Sequence, residues 1–104
     1  MLEVNEAHNG SELEMGVGES LELGLSENPT TGYRWQVQSP GNPVLKLEAD
    51  SFEPAREGYG AGGVHRWVFQ SVQVGTAHLQ IDRRRGWEQK AVETFKVTIR
   101  VTAR

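Results

Sequence analysis

The sequence contains no cysteine. A disulfide, a thiol nucleophile and a cysteine-ligated metal site are therefore excluded, whichever redox compartment the protein occupies. The fold has to be held together by its apolar core. At 104 residues the chain is long enough to bury such a core, and we predict a single domain over residues 1–104.

The sequence also has no excess of basic charge and no long apolar run. Its formal net charge of −3 at pH 7 argues against a protein that binds nucleic acid through bulk charge. No apolar run reaches the roughly 18 residues of a membrane-spanning helix. The first residues lack the basic start and apolar stretch of a signal peptide. We therefore expect a cytoplasmic protein, or the mature form of a secreted or periplasmic one. We also expect it to act as a monomer.

No residue pattern typical of a catalytic or metal site is present. Serine, histidine and acidic residues do not occur in a recognisable nucleophile order, and no pair of carboxylates stands out. The three histidines, His8, His65 and His78, lack the spacing of metal ligands. We therefore expect no enzyme activity, no metal and no cofactor.

Along much of the sequence, apolar and polar residues alternate with a period of two, which is typical of half-buried strands. The alternation is clearest at Leu21–Leu25, Tyr33–Val37, Ala77–Ile81 and Phe95–Val101. Weaker versions occur near Leu13, from Val44 to Phe52 and from Val64 to Val72. About seven to eight strands with regular turn residues predict an all-β fold, an antiparallel immunoglobulin-like β-sandwich. Trp35, Trp67 and Phe69 are expected in its core.

Three connections between the predicted strands have unusual compositions: 28–33, 58–63 and 83–88. We call them the first, second and third loops. Strands of an antiparallel sandwich reverse direction each time, so every second connection lies at the same end. If Val44 to Phe52 forms one bent strand, all three loops share one end. This arrangement is typical of a binding edge on a rigid scaffold.

The first loop reads Asn28-Pro29-Thr30-Thr31-Gly32-Tyr33. Asn followed by Pro suits a type I turn, the two β-branched threonines are stiff, and glycine permits a positive φ. The loop is therefore predicted to be rigid and to display two small hydroxyl side chains. On its own, however, it is better explained as simply a well-formed turn.

The second and third loops carry glycine and tryptophan. The second, Gly58-Tyr59-Gly60-Ala61-Gly62-Gly63, suggests a backbone that approaches another surface closely, or alternatively a flexible hairpin connection. It lacks the lysine and the following helix of a phosphate-binding loop. The third, Arg83-Arg84-Arg85-Gly86-Trp87-Glu88, favours binding because Trp and Arg are enriched at interface hot spots. The alternatives are a solvated charge run and a tryptophan packed on the end of the sandwich.

Taken in order, the three loops resemble the chagasin family of immunoglobulin-like inhibitors of papain-type cysteine peptidases. The motifs that carry the resemblance are Asn28-Pro29-Thr30-Thr31-Gly32-Tyr33, Gly60-Ala61-Gly62-Gly63 and Arg85-Gly86-Trp87. The first two match the family pattern completely, whereas Gly86 stands where the family has proline. The resemblance covers nearly the whole chain.

The resemblance implies that the chain is a reversible protein inhibitor of a papain-like, cathepsin-like cysteine protease. The first loop would sit over the catalytic cysteine and histidine, with Thr31 nearest to them. The second loop, with Tyr59 beside its glycines, would follow the non-primed side of the cleft. The third would place Trp87 on the primed side. The alternative from the residues alone is an immunoglobulin-like binding or adhesion module that uses the same loops for another ligand.

Overall fold

The computed structural model describes residues 1–28, 31–55 and 62–103. Within these residues, eight strands form two four-stranded sheets that enclose a common apolar core. The strands are β1 Leu2–Val4, β2 Glu12–Gly16, β3 Ser20–Glu27, β4 Tyr33–Pro40, β5 Leu45–Pro54, β6 Gly63–Ser71, β7 Gly75–Arg85 and β8 Glu93–Thr102. A short 3-10 turn, Glu6–His8, follows β1. No helix in this described part is long and apolar enough to cross a membrane.

The two sheets have the strand orders β1-β3-β6-β5 and β2-β8-β7-β4. The consecutive pairs β5–β6 and β7–β8 are antiparallel, and so are β3–β6 and β4–β7. The predicted fold class, an all-β immunoglobulin-like sandwich, is confirmed. The assignment of residues 1–104 to one domain stays a prediction.

Two pairings at the sheet edges depart from the antiparallel pattern that the sequence predicts. Strand β1 pairs with β3 in parallel, and β2 pairs with β8 in parallel. The chain passes from β1 in one sheet to β2 in the other and back to β3, so neither strand follows its partner through a hairpin. At three residues, β1 is also too short for alternation to reveal it.

The core follows the alternation of the sequence. In β3, Leu21, Leu23 and Leu25 are fully buried. In β6, Trp67 and Phe69 are also fully buried, which confirms their predicted inward orientation. Trp35 in β4 is 6% exposed and packs in the same core.

The stretch from Leu45 to Phe52 lies in a single strand, as the argument about loop ends required, and Val44 lies in the turn before it. Strand β5 pairs with β6 from Leu45 to Pro54, with a register shift between Leu47 and Ala49. Because β5 is an edge strand, its inward side is not fully covered. Leu45 is buried, whereas Leu47 is 38% exposed.

Candidate functional site

The three loops lie at one end of the sandwich, as the sequence predicted. The pairings Glu27↔Gly63 and Pro54↔Gly63 place the bases of the first and second loops side by side. The pairing Tyr33↔Arg85 places the first loop beside the third. The first loop therefore lies between the other two. We call this surface the three-loop end. Of the predicted site residues, Pro29, Thr30, Tyr59, Gly60 and Ala61 lie outside the described residues.

The first loop is closed by hydrogen bonds around Thr31. The Asn28 carbonyl oxygen accepts from the Thr31 N–H at 3.2 Å and from the Thr31 hydroxyl at 2.8 Å. The Thr31 hydroxyl oxygen accepts from the Tyr33 N–H at 3.3 Å. Gly32 has a φ of +82°, in the left-handed region, so its backbone conformation favours glycine.

These bonds refine the prediction that the loop displays its hydroxyl groups. The Thr31 side chain is exposed, but its hydroxyl is used inside the turn. The residue therefore stiffens the loop and offers mainly a shaped, small surface to a partner. A loop held in this way loses little conformational entropy on binding.

A buried carboxylate supports the first loop from below. Glu27, the last residue of β3, is 3% exposed. Its Oε2 accepts from the Trp35 N–H at 2.7 Å, and its Oε1 lies 3.2 Å from His65 Nδ1. The Trp35 ring Nε1–H donates to the Ser26 carbonyl oxygen at 2.8 Å. Glu27 therefore joins β3 to β4 of the other sheet and to β6, at the point where the loop begins.

His65 completes this support. Its Nε2 contacts an Asp50 carboxylate oxygen, and its ring stacks on Trp67 with centroids 4.0 Å apart and planes 7° from parallel.

The role of Glu27 was not predicted from the sequence, although one signal in the sequence pointed to it. Glu27 continues the parity of Leu21, Leu23 and Leu25, which are all inward. An acid on an inward position must be hydrogen-bonded.

Glu6 reinforces the same end from the N-terminal segment. Partial burial raises the pKa of Glu6, but hydrogen bonds from Ser26 and from the Glu6 backbone outweigh burial and leave the pKa below its ordinary value. The stabilisation from this group is therefore present above the ordinary glutamate pKa and is lost as the pH falls through the lowered pKa.

Replacing Glu6 with glutamine is expected to flatten the acid limb of the stability curve. The variant should lose less unfolding free energy than wild type between about pH 7 and pH 3, because it no longer has this carboxylate to protonate. Urea unfolding at several pH values measures the difference. Parallel curves for the two proteins would contradict the assignment.

Two glycines of the second loop are required by close packing within the chain. A Cβ at Gly62 would collide with the Glu27 carbonyl oxygen, and one at Gly63 would collide with the Glu53 carbonyl oxygen. The Gly62 carbonyl oxygen accepts from the Ala55 N–H at 3.0 Å. The predicted close backbone approach therefore occurs within the chain, at Gly62 against the base of the first loop and at Gly63 against β5. Whether the rest of this loop approaches a partner stays a prediction.

The third loop presents an exposed tryptophan next to a stack of side chains. Trp87 is 75% exposed, so the alternative that it packs on the end of the sandwich is wrong. The Arg85 guanidinium carbon lies 4.6 Å from the Tyr33 ring centroid and 5.7 Å from that of Trp87. Arg85 also pairs with Glu88 at 3.6 Å. Arg85 therefore links the first loop to the third by cation–π contacts.

The other two arginines of the third loop have different surroundings. Arg83 lies over the Trp35 ring at 5.8 Å and pairs with Glu93 at 3.4 Å. Arg84 donates from Nε to Gln36 Oε1 at 3.3 Å and from Nη1 to the Gln89 carbonyl oxygen at 3.1 Å. The three arginines thus do not form a uniformly solvated run. Among the described residues, no group of three histidine, cysteine or acidic side chains could hold a metal ion.

Comparison with known proteins shows to which family this chain, with its three-loop end, belongs. The sequence profile described as "Chagasin family peptidase inhibitor I42" matches residues 14–99. The chain belongs to the chagasin family. The resemblance that rested on three short motifs is confirmed, and so is the expectation that the chain is an inhibitor and not an enzyme.

Individual relatives of the chagasin family agree with this assignment. Chagasin of Trypanosoma cruzi is 30% identical over 105 residues, which cover 96% of this chain and 96% of chagasin. Amoebiasin-1 of Entamoeba histolytica is 29% identical over 101 residues, which cover 96% of this chain and 99% of the relative. The crystal structure of EhICP2, a cysteine protease inhibitor from Entamoeba histolytica, has a TM-score of 0.85. It covers 97% of this chain and 94% of its own at 17% identity, which shows a shared fold.

Proposed function

We propose that the chain is a reversible, competitive inhibitor of papain-like cysteine proteases that inserts loops 28–33, 58–63 and 83–88 into the active-site cleft. The observation that carries the proposal is the geometry of the three-loop end. A hydrogen-bonded turn lies at its centre, and an exposed tryptophan stands on one side. Family membership supplies the class of target.

The first loop accounts for inhibition without cleavage. A papain-like protease attacks a peptide carbonyl carbon that is held about 3–3.5 Å from its thiolate. Thr31 would face the catalytic residues on a turn whose backbone is fixed by its own hydrogen bonds. A turn that cannot become extended offers no carbonyl in attack geometry. The inhibitor then fills the cleft and does no chemistry.

The flanking loops account for affinity. Trp87 exposes a large apolar surface beside the turn, and Arg85 holds it next to Tyr33. We assign Trp87 to the primed side of the cleft and the second loop to the non-primed side. Three such loops would bury roughly 800 Å² on the inhibitor, the usual size for a protease–inhibitor contact.

Titration of papain with the purified protein tests this function. Residual activity is measured on a fluorogenic peptide at several substrate concentrations. The expected result is competitive inhibition at inhibitor concentrations well below micromolar. No inhibition of papain or of a cathepsin at micromolar concentration would contradict the proposal. Retained binding of another ligand at the same loops would then favour the adhesion module.

Replacing Gly86 with proline is expected to tighten inhibition. The Gly86 backbone is not in the left-handed region, and an added Cβ would meet no atom within 4 Å. A side chain is therefore tolerated at this position, and proline would lower the ordering cost of the loop by about 0.4–1 kcal/mol, or roughly two- to fivefold in the inhibition constant. The inhibition constants of wild type, Gly86→Pro and Gly86→Ala are compared on papain. Equal or weaker inhibition by Gly86→Pro would contradict this account of the loop.

A further inference from the structure

The chain has a net negative charge, but its acidic and basic side chains are distributed unequally between the two sheets. The strands of the β1-β3-β6-β5 sheet carry six acidic and two basic side chains. The strands of the β2-β8-β7-β4 sheet carry four acidic and six basic side chains. Four of those six, Arg34, Arg83, Arg84 and Arg85, lie at the ends of β4 and β7 that form the three-loop end. The positive charge is therefore concentrated beside the proposed binding edge.

Two of these arginines oppose each other directly. Arg34 on β4 is the cross-strand partner of Arg84 on β7. Their neighbours Trp35 and Arg83 have the opposite parity and contact each other at 5.8 Å, so Arg34 and Arg84 share the outer face of the sheet. Like charges directly opposite on one face of a sheet destabilise it. We call Arg34 and Arg84 the arginine pair.

The arginine pair is not neutralised by an acid within residues 1–28, 31–55 and 62–103. Arg83 and Arg85 each have an ion-pair partner, and so does Arg100 at the far end. Arg84 instead donates to neutral oxygens of Gln36 and Gln89. Asp82, two residues before Arg84 on the same face of β7, accepts from the Thr94 hydroxyl at 3.0 Å and from Gln80 at 3.2 Å.

The arginine pair is continuous with the proposed contact. Arg34 follows Tyr33, whose ring contacts Arg85, and Arg84 precedes Arg85. The bond from Arg84 to the Gln89 carbonyl oxygen also holds the segment after Trp87 against this face, with Lys90 next in sequence. Arg34 and Lys90 are exposed and Arg84 is half-buried, and the three cations lie in or beside the third loop, which we assign to the primed side.

We propose that the arginine pair steers the inhibitor towards proteases whose surface beside the primed side of the cleft is acidic. This inference rests on the proposed function and names the charge of the preferred target. Charges at the rim of an interface mainly raise the association rate and do so most strongly at low ionic strength.

The test uses the double variant Arg34→Gln/Arg84→Gln and a cathepsin whose surface beside the primed side of the cleft is acidic. A matched control, Lys46→Gln/Arg100→Gln, removes two exposed cations near the opposite end of the sandwich. Association and dissociation rates are measured by stopped flow at ionic strengths from about 20 to 200 mM, the range over which screening grows. The thermal midpoint of each variant is recorded as well.

The arginine-pair variant is expected to associate roughly three- to tenfold more slowly than wild type at low salt, with the gap closing at high salt. The part of its change that depends on ionic strength should lie in the association rate, and its thermal midpoint should be unchanged or slightly raised. The control should associate at close to the wild-type rate. The inference would be overturned if both variants were slowed equally, or if the arginine-pair variant associated at the wild-type rate. It would also be overturned if a lowered thermal midpoint of the arginine-pair variant accounted for its slower association. Failure of the proposed function is distinguishable, because wild type would then not inhibit at all.

Discussion

Replacing Trp87 with alanine is expected to weaken inhibition of papain by about 30- to 1,000-fold, which corresponds to about 2–4 kcal/mol. The side chain is 75% exposed in the free protein, so its apolar surface is available to be buried in the cleft. Truncation also removes the contact between the Trp87 ring and the Arg85 guanidinium at 5.7 Å. The inhibition constant on papain measures the effect.

The same substitution is expected to leave the stability of the free protein nearly unchanged, because Trp87 contributes nothing to the core. Val74→Ala is the matched control, since Val74 is an exposed apolar residue at 55% in the opposite turn. It should alter neither inhibition nor stability. If both Trp87→Ala and Thr31→Ala inhibit as strongly as wild type, the assignment of the loops is wrong even where inhibition is real.

Replacing Glu27 with alanine is expected to lower the free energy of unfolding by about 2–4 kcal/mol and to weaken inhibition as well. The substitution leaves the Trp35 N–H and His65 Nδ1 without the carboxylate that they contact at 2.7 and 3.2 Å. Loss of a buried hydrogen-bonded charge costs the desolvation of the groups left behind. Inhibition should fall because this carboxylate anchors the start of the first loop to both sheets.

Urea unfolding and inhibition of papain measure the two effects. Glu27→Gln keeps an acceptor for the Trp35 N–H and should recover part of the stability. Glu22→Ala is the control on the same strand. Glu22 pairs with Arg66 at 2.9 Å on the outer face, and a partly exposed pair contributes at most about 1 kcal/mol. A Glu27→Ala protein as stable and as inhibitory as Glu22→Ala would refute the supporting role of this carboxylate.

The sandwich was predictable because most of its strands bury one face. Alternation in β3, β7 and β8 is regular, and every apolar residue of the pattern at Leu21–Leu25 is buried. Strand β1 was missed because three residues cannot show a period, and the parallel pairing of β1 and β2 depends on crossings between sheets. The pairing direction of an edge strand depends on the path of the chain between the two sheets. A local sequence pattern carries no information about that path.

The three-loop end was predictable in its position and in part of its chemistry. Parity placed the loops together, and the composition of the third loop indicated that Trp87 is exposed. The roles of Glu27 and His65 were not predicted, because the pairing of a buried acid with a histidine 38 positions away arises only from the register of β3 and β6. The internal use of the Thr31 hydroxyl likewise depends on loop geometry. The contribution of each loop residue to protease binding stays a prediction.

The central claim is that the three-loop end occupies the active-site cleft without reacting with the thiol. Binding of the protein to three forms of papain tests it most directly: active enzyme, enzyme with a methylthio group on the catalytic cysteine, and enzyme whose cleft is filled by a covalently attached peptide. The account predicts binding to the first two forms and a loss of at least about a hundredfold for the third, because the peptide occupies the space that the loops require. Undiminished binding to the peptide-filled enzyme would contradict it.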